Sequence, residues 1–217
     1  MHIIWHGQSF FQILAARAKA EQVSIAIDPF DESTGLKPPS FSADILLITH
    51  DHSDHNNKKI IKGEPLTIEG PGEYESKEIY IMGIPSWHDE KEGKEKGANA
   101  IYVIDAEEMR ICHLGDFGQK ELTTEQIEKI GDVDILMVPV GGNFTLDAKG
   151  AAKVIAQIEP RIVIPMHYHL PNMKIKLDGV DQFLKEMGKK TVESQPKLLI
   201  KKKDLPAEET NIVVLKP

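Results

Sequence analysis

The chain has 217 residues, 41% of them hydrophobic and 28% charged, which suits one compact domain over residues 1–217 and excludes a disordered or repetitive polymer. Its formal net charge is −8 and its densest basic run is Lys201-Lys202-Lys203, which weighs against nucleic acid as the main partner, because clustered Lys and Arg supply affinity for a phosphate backbone. Cys112 is the only cysteine, so intramolecular disulfides and CxxC metal knuckles are excluded; no run approaches the ~20 apolar residues of a membrane span, and a reducing cytoplasm is the expected compartment.

The N-terminal stretch MHIIWHGQSFFQILAARAKA imitates a secretory leader only faintly. No Lys or Arg precedes its apolar part, and His6, Gln8 and Gln12 interrupt it. Short runs rich in Ile, Val and Leu, bounded by Gly, Pro, Asp or Asn, predict strands at 2–5, 9–14, 23–27, 45–49, 79–84, 100–104, 110–113, 135–138 and 161–164. Between them, Pro71-Gly72-Glu73-Tyr74 reads as a turn and Asp89 to Gly97, DEKEGKEKG, as a mobile charged loop. Helices are expected at 124–130 with Thr123 as N-cap, at 147–158 up to Pro160, and at 180–188. Many strands follow one another without a helix between them. That pattern points to two sheets with helices outside rather than a doubly wound parallel sheet.

Residues 48–57, ITHDHSDHNN, place three histidines and two aspartates between His50 and His55, directly behind an apolar run. Leaving a strand in extended form, His50 and His52 point the same way, because side chains alternate with period two. Asp54 and His55 then fall where the chain turns, with Ser53 as a possible N-cap and a helix expected from Asn56 onward. Imidazole suits zinc and other first-row ions, and carboxylate oxygens widen the choice towards manganese or iron. Other metal-competent side chains also stand at strand ends: Asp28, His88, Asp116 and His167. Independent strands ending in such groups suggest one shared site. His169 would share the direction of His167 if the strand continues, as a candidate for proton transfer. Val140 to Asp147 enters a helix, either with backbone N–H groups facing an anion or as a plain capped turn.

THDHSDH resembles the HxHxDH signature of the metallo-β-lactamase fold superfamily. WHGQSFFQI, IDPF, GPGEYE, SWHDE, HLGD, VDILMVPVGGNFTLDA and IVIPMHYH follow in the order seen in its branch of uncharacterised zinc-dependent hydrolases related to ascorbate-6-phosphate lactonase. The resemblance covers nearly the whole chain. It implies an α/β fold, a four-layered αββα sandwich with the metal site at one edge. Carried over residue by residue, it makes His50, His52 and His88 ligands of a first ion and Asp54, His55 and His167 ligands of a second. Asp116 would bridge the two, and Asp28 would orient a ligand histidine through a hydrogen bond. His113 competes with His88, but it has the wrong parity relative to Asp116 unless the strand bends at Gly115. Histidine is frequent in the related proteins at the Gln8 position, so no role is carried over there.

The chemistry so implied is hydrolysis of a small ester, lactone or phosphodiester by a hydroxide bridged between two divalent ions, zinc first and Mn2+ or Fe2+ as alternatives. Asp54 would ligate and orient the nucleophile, and His169 would protonate the leaving group. The partner is then a small molecule, with a homo-oligomer left open. Two other classes stay in view: an RNA-processing nuclease of the same fold, and a module that binds metal without turnover.

Overall fold

The computed structural model describes residues 1–16 and 21–217, so the last part of the stretch compared with a leader lies outside the described residues. In chain order the strands are β1 (His2–Trp5), β2 (Phe11–Ala16), β3 (Gln22–Ile27), β4 (Phe41–Ser42), β5 (Ile45–Leu47), β6 (Ile61–Lys62), β7 (Leu66–Ile68), β8 (Gly72–Ser76), β9 (Ile79–Trp87), β10 (Ala98–Ala106), β11 (Met109–His113), β12 (Ile135–Pro139), β13 (Ile162–Met166), β14 (Leu198–Leu199) and β15 (Asn211–Ile212). The α-helices are α1 (Thr124–Ile130), α2 (Ala148–Ile158) and α3 (Val180–Glu186).

One sheet has the order β14-β1-β2-β3-β5-β7 and the other β15-β13-β12-β11-β10-β9-β8, with β4 and β6 forming a separate small pair. Along β1 and β2, Ile3, Trp5, Phe11, Ile13 and Ala15 are buried while their neighbours are partly exposed, the alternation of strands with one face on a core. β12 and β13 are buried on every residue, as strands covered on both faces must be. The crossovers β11–α1–β12 and β12–α2–β13 join parallel neighbours that advance in one direction. Right-handed crossovers of that kind place both helices on the same face of the sheet. Ala151, Val154, Ile155 and Ile158 of α2 pack there, in one core cluster with residues of both sheets.

The other outer layer of the sandwich is reduced among the described residues to turns and the β4–β6 pair. Phe10, Phe30, Ala26, Leu46 and Ile48 form a smaller cluster on that side, with Phe41 and Leu36 packed against it. His6 lies among these rings, 4.8 Å from Phe10 and 5.5 Å from Phe41 between ring centroids. Burial pushes the His6 imidazole down to about 4 against a raising contact from Gln12. Its unfolded form takes up a proton near pH 6.5 whereas the folded form does not until about pH 4, so its contribution is complete above pH 6.5 and is lost as pH falls through that window. Urea titration should show His6→Phe escaping about 2 kcal/mol of the stability that the native chain loses between pH 7 and 4.5. Equal losses in both proteins would show that His6 contributes nothing to acid sensitivity.

Three expectations change, and one open alternative closes. No helix follows Asn56: His55 and Asn56 donate to the His52 carbonyl at 2.9 and 3.1 Å, and only a short 3-10 turn, Lys58–Ile60, comes after. Asn57 is tethered to Pro29 and Phe30 through its backbone N–H and side-chain amide, and this overrides local helical preference. Gly72 to Tyr74 belong to β8, an edge strand pairing with β9. The segment read as a mobile loop is gathered round Asp89, whose carboxylate accepts backbone N–H bonds from Lys91, Gly93, Glu95 and Lys96 at 2.7–3.1 Å. Ahead of α2, the Asp147 side chain accepts from Gly150 N at 2.8 Å, which is the plain capped turn.

Candidate metal centre

β3 and β5 run parallel in the first sheet, and β9, β11 and β13 share a direction in the second. Their carboxyl ends therefore meet at one edge of the sandwich and deliver Asp28, the 50–55 segment, His88, Asp116 and His167 to it. The Tyr102 hydroxyl of β10 fixes the approach by donating to Ile48 O at 2.8 Å and accepting from Gly70 N at 2.8 Å, which ties one sheet to the other just before the histidine segment.

Three groups of ligand atoms form there, each within 4.8 Å: His50, His52 and His88; Asp54, His55 and His167; and His50, His55 and Asp116, which joins the first two. The His50, His52 and His88 rings lie 4.6–5.2 Å apart between centroids. Asp116 stands between the groups. Its Oδ2 is 3.2 Å from His88 Nε2, 3.2 Å from His55 Nε2 and 3.3 Å from His167 Nε2. Ser9 Oγ holds its Oδ1 at 3.3 Å, and Asn99 Oδ1 accepts its backbone N–H at 3.0 Å. Gly115, at φ +58°, makes that turn, and a Cβ there would come within 2.8 Å of Thr49 Cβ. Only glycine fits.

Hydrogen bonds set the tautomers. Asp28, fully buried, accepts from Thr49 N at 2.8 Å, Thr49 Oγ1 at 2.7 Å and His55 Nδ1 at 3.0 Å. A threonine hydroxyl has one proton, and here Asp28 takes it. The contact of 2.9 Å between Thr49 Oγ1 and His50 Nδ1 must then run from His50 Nδ1–H to the hydroxyl. One carboxylate thus fixes protons on Nδ1 of both His50 and His55 and turns both Nε2 atoms towards the cluster. His50 Nε2 is buried without a hydrogen-bond partner, and His55 Nε2 faces the Asp116 carboxylate at 3.2 Å, places where a cation can take the position of a proton.

Electrostatics agree with that donor set. Burial, then the neighbouring His55, holds the His50 imidazole far below its usual range, and burial with His88 lowers His52; both keep their lone pairs. Burial alone would raise Asp116, but His167 and His55 outweigh it and keep the carboxyl well below the usual carboxylate range. For His55 burial would lower the imidazole, yet Asp116 and Asp28 raise it well above its ordinary value. Without an ion the edge therefore pairs neutral imidazoles at His50 and His52 with an ionised Asp116 and a His55 that favours its protonated form, and a divalent ion taken up there would displace the His55 Nε2 proton.

His113 is not brought to this cluster as a ligand. β11 ends at it, its Nδ1 accepts from Gly115 N at 3.1 Å, and its Nε2–H donates to Ser9 O at 3.0 Å, so both ring nitrogens are used. His169 is exposed, and the alternation aligning it with His167 breaks: β13 stops at Met166 and His167 turns at φ +51°. Gln8, for which sequence reasoning offered no role, is at the cluster. It is fully buried at φ +49°, and its amide Nε2 donates to Asp54 Oδ2 at 3.1 Å and lies 3.4 Å from His167 Nε2. Asp28 and His167, each directly after a strand, have the same left-handed backbone as Gln8 in the β1–β2 turn, at φ +52° and +51°.

Among the described residues no helix is long and apolar enough to cross a membrane. Residues 2–167 match the Beta-lactamase superfamily domain. A metal-dependent hydrolase of Thermococcus onnurineus is 32% identical over 195 residues, 75% of this chain and 82% of the relative. A similarly described metal-dependent hydrolase of Pyrococcus furiosus is 32% identical over 176 residues, 67% of this chain and 77% of that one. A crystal structure of a Zn-dependent hydrolase of the metallo-β-lactamase superfamily from Thermotoga maritima superimposes with a TM-score of 0.75 at 28% identity, covering 99% of each chain. The strand-end histidines and aspartates, the two packed sheets and these relatives agree: the chain belongs to the metallo-β-lactamase superfamily, as one of its metal-dependent hydrolases.

Proposed function

We propose that the protein hydrolyses a small ester, lactone or phosphodiester at a centre of two divalent ions, zinc first by the character of the donors. His50, His52 and His88 would hold one ion, Asp54, His55 and His167 the other, and Asp116 would lie between them. The observation that carries this reading is that a single oxygen of Asp116 lies 3.2–3.3 Å from imidazole nitrogens of both groups. Two ions in such a site supply a water activated near neutral pH and positive charge for the oxyanion that develops on the substrate.

The chain's own groups perform the rest. Asp28 and Thr49 hold the Nδ1 protons of His50 and His55, so that each ring presents Nε2 to an ion. Half-buried Asp54 keeps one oxygen on the Gln8 amide, which leaves its other oxygen to orient water and receive its proton. The buried imidazoles exclude bulk water from that proton. Gln8→Leu removes the donor and should weaken binding of the second ion about tenfold, read by competition with a chelator. Unchanged affinity would make the Gln8–Asp54 contact idle.

The test of the reading has two parts. Elemental analysis of protein purified without a histidine tag should find about two ions per chain. Asp54→Asn should then lower kcat about a hundredfold or more on whichever member of an ester, lactone and phosphodiester panel is turned over. Two bound ions with no turnover across the panel, or full activity in Asp54→Asn, would overturn it.

A further inference from the structure

Building on that hydrolytic reading, we infer that the substrate is an uncharged carboxylic ester or lactone whose apolar group lies against Phe144 and Ile175. A cavity of about 360 Å3 opens over the cluster, with His52, Asp54, His88, Asp116 and His167 as its floor. Its walls are Glu95, Lys96, Phe144 and Ile175. The volume falls at the small end of ligand cavities, so it suits a compact molecule and not a polymer segment.

The walls carry one cation, and it is already engaged. Lys96 Nζ donates to the carbonyls of Asn143 at 3.2 Å and Phe144 at 2.8 Å, and it lies 5.3 Å from the Phe144 ring centroid. Asn143 Nδ2 in turn donates to Lys176 O at 3.1 Å, and Asp178 N to Gly141 O at 2.8 Å. The segments after β9, after β12 and after β13 are thus fastened together across the opening by a lysine whose charge faces their carbonyls. Beyond the proposed ions a phosphodiester would want further cationic or N–H donors for its free oxygens, and the walls have none to spare, since Lys96 is engaged and Glu95 is an anion paired with Lys91. A neutral carbonyl compound needs neither.

Phe144 supplies the attractive half of the argument. It is one of four large apolar side chains exposed among the described residues, at 40%, and of those four it alone lines the cavity over the cluster. A ring exposed to this extent beside Ile175 and over a polar floor fits a substrate with a carbonyl at one end and a few carbons at the other. The reaction then balances without a co-reactant. Water adds its oxygen to the acyl carbon, the acyl C–O bond breaks, and the water proton ends on the departing alcohol, or on the ring-opened hydroxyl of a lactone.

The zinc-loaded full chain should be assayed with ethyl acetate, ethyl hexanoate, a γ-lactone with a five-carbon side chain, and bis(p-nitrophenyl) phosphate. Each methylene buried is worth about 0.8 kcal/mol, so kcat/KM for the hexanoate should exceed that for the acetate by at least about tenfold. Phe144→Ala should cut that ratio about tenfold. Independently of turnover, calorimetric titration with 2-octanone should detect binding to the native chain that is weakened severalfold in Phe144→Ala. Faster turnover of the phosphodiester than of either ester, or no chain-length preference, overturns the inference and leaves hydrolysis standing. No turnover of any member by protein carrying two ions overturns both.

Discussion

Asp28→Asn is expected to cost between about tenfold and a hundredfold in metal affinity, although residue 28 is a proposed ligand to neither ion. Asparagine tolerates the left-handed backbone at this position, so the change isolates the side-chain chemistry. An amide presents one acceptor and one donor where the carboxylate accepts from Thr49 N, Thr49 Oγ1 and His55 Nδ1. With its NH2 in place of Oδ2, Thr49 must accept from residue 28 and turn its own proton towards His50 Nδ1. His50 and His55 then carry their protons on Nε2, where the ions would bind. With the amide reversed, Thr49 N–H faces another donor in a fully buried site, which costs about 1–3 kcal/mol. The measurement is a zinc titration against a chelator, run well below the melting transition of the variant. Native affinity for both ions in Asp28→Asn would mean that the tautomer lock does not govern binding.

The second large effect separates two buried histidines that the sequence leaves in competition. His88→Ala should lose about one ion per chain, because it removes an imidazole from the group it forms with His50 and His52. His113→Ala should keep both ions and lose stability instead, by about 2–3 kcal/mol, since it deletes a buried ring, its bonds to Ser9 O and Gly115 N, and its edge-on contact with Phe11 at 5.7 Å. Elemental analysis and urea unfolding on the same two preparations would show the crossing of effects. Equal metal content in both variants would remove His88 from the first ion.

The sequence was most readable where burial is deep. β12 and β13, short apolar runs between turn residues, stand within two residues of expectation, and α1 starts after its Thr123 cap with Gln126 completing a capping box. It was least readable where a long-range contact decides the local shape. The segment after Asn56 carries letters compatible with a helix, but its tethers to Pro29 and Phe30 lie far away in the chain. Asp89 to Gly97 reads as mobile because of its charge and glycine, while one of those charges collects the segment's own N–H groups. β14 and β15 span two residues each, too few to display a period.

The same division holds at the site. The strand-end histidines and aspartates advertise themselves by residue type, and the structure gathers them. Gln8 does not, because an amide carries no metal-ligand signal and its partner Asp54 is 46 positions away. His169 drew attention through an alternation that holds only while a strand continues.

Gln8, Asp28 and His167 share a backbone conformation that L-residues other than glycine avoid, at φ +49°, +52° and +51°. Each such residue stores on the order of 1 kcal/mol or more in the folded chain. Glycine would relax the bend at every one of these positions, and would delete in turn the amide donor, the tautomer-setting carboxylate and a proposed metal ligand. Selection of variants for thermal endurance alone should therefore favour glycine at Gln8 and His167 and return hardened, inert proteins, whereas at Asp28 the buried Thr49 and His55 donors left stranded cost more than the bend. At this edge of the sandwich robustness and reactivity are opposed in Gln8 and His167, so any programme to toughen the enzyme has to work elsewhere in the fold.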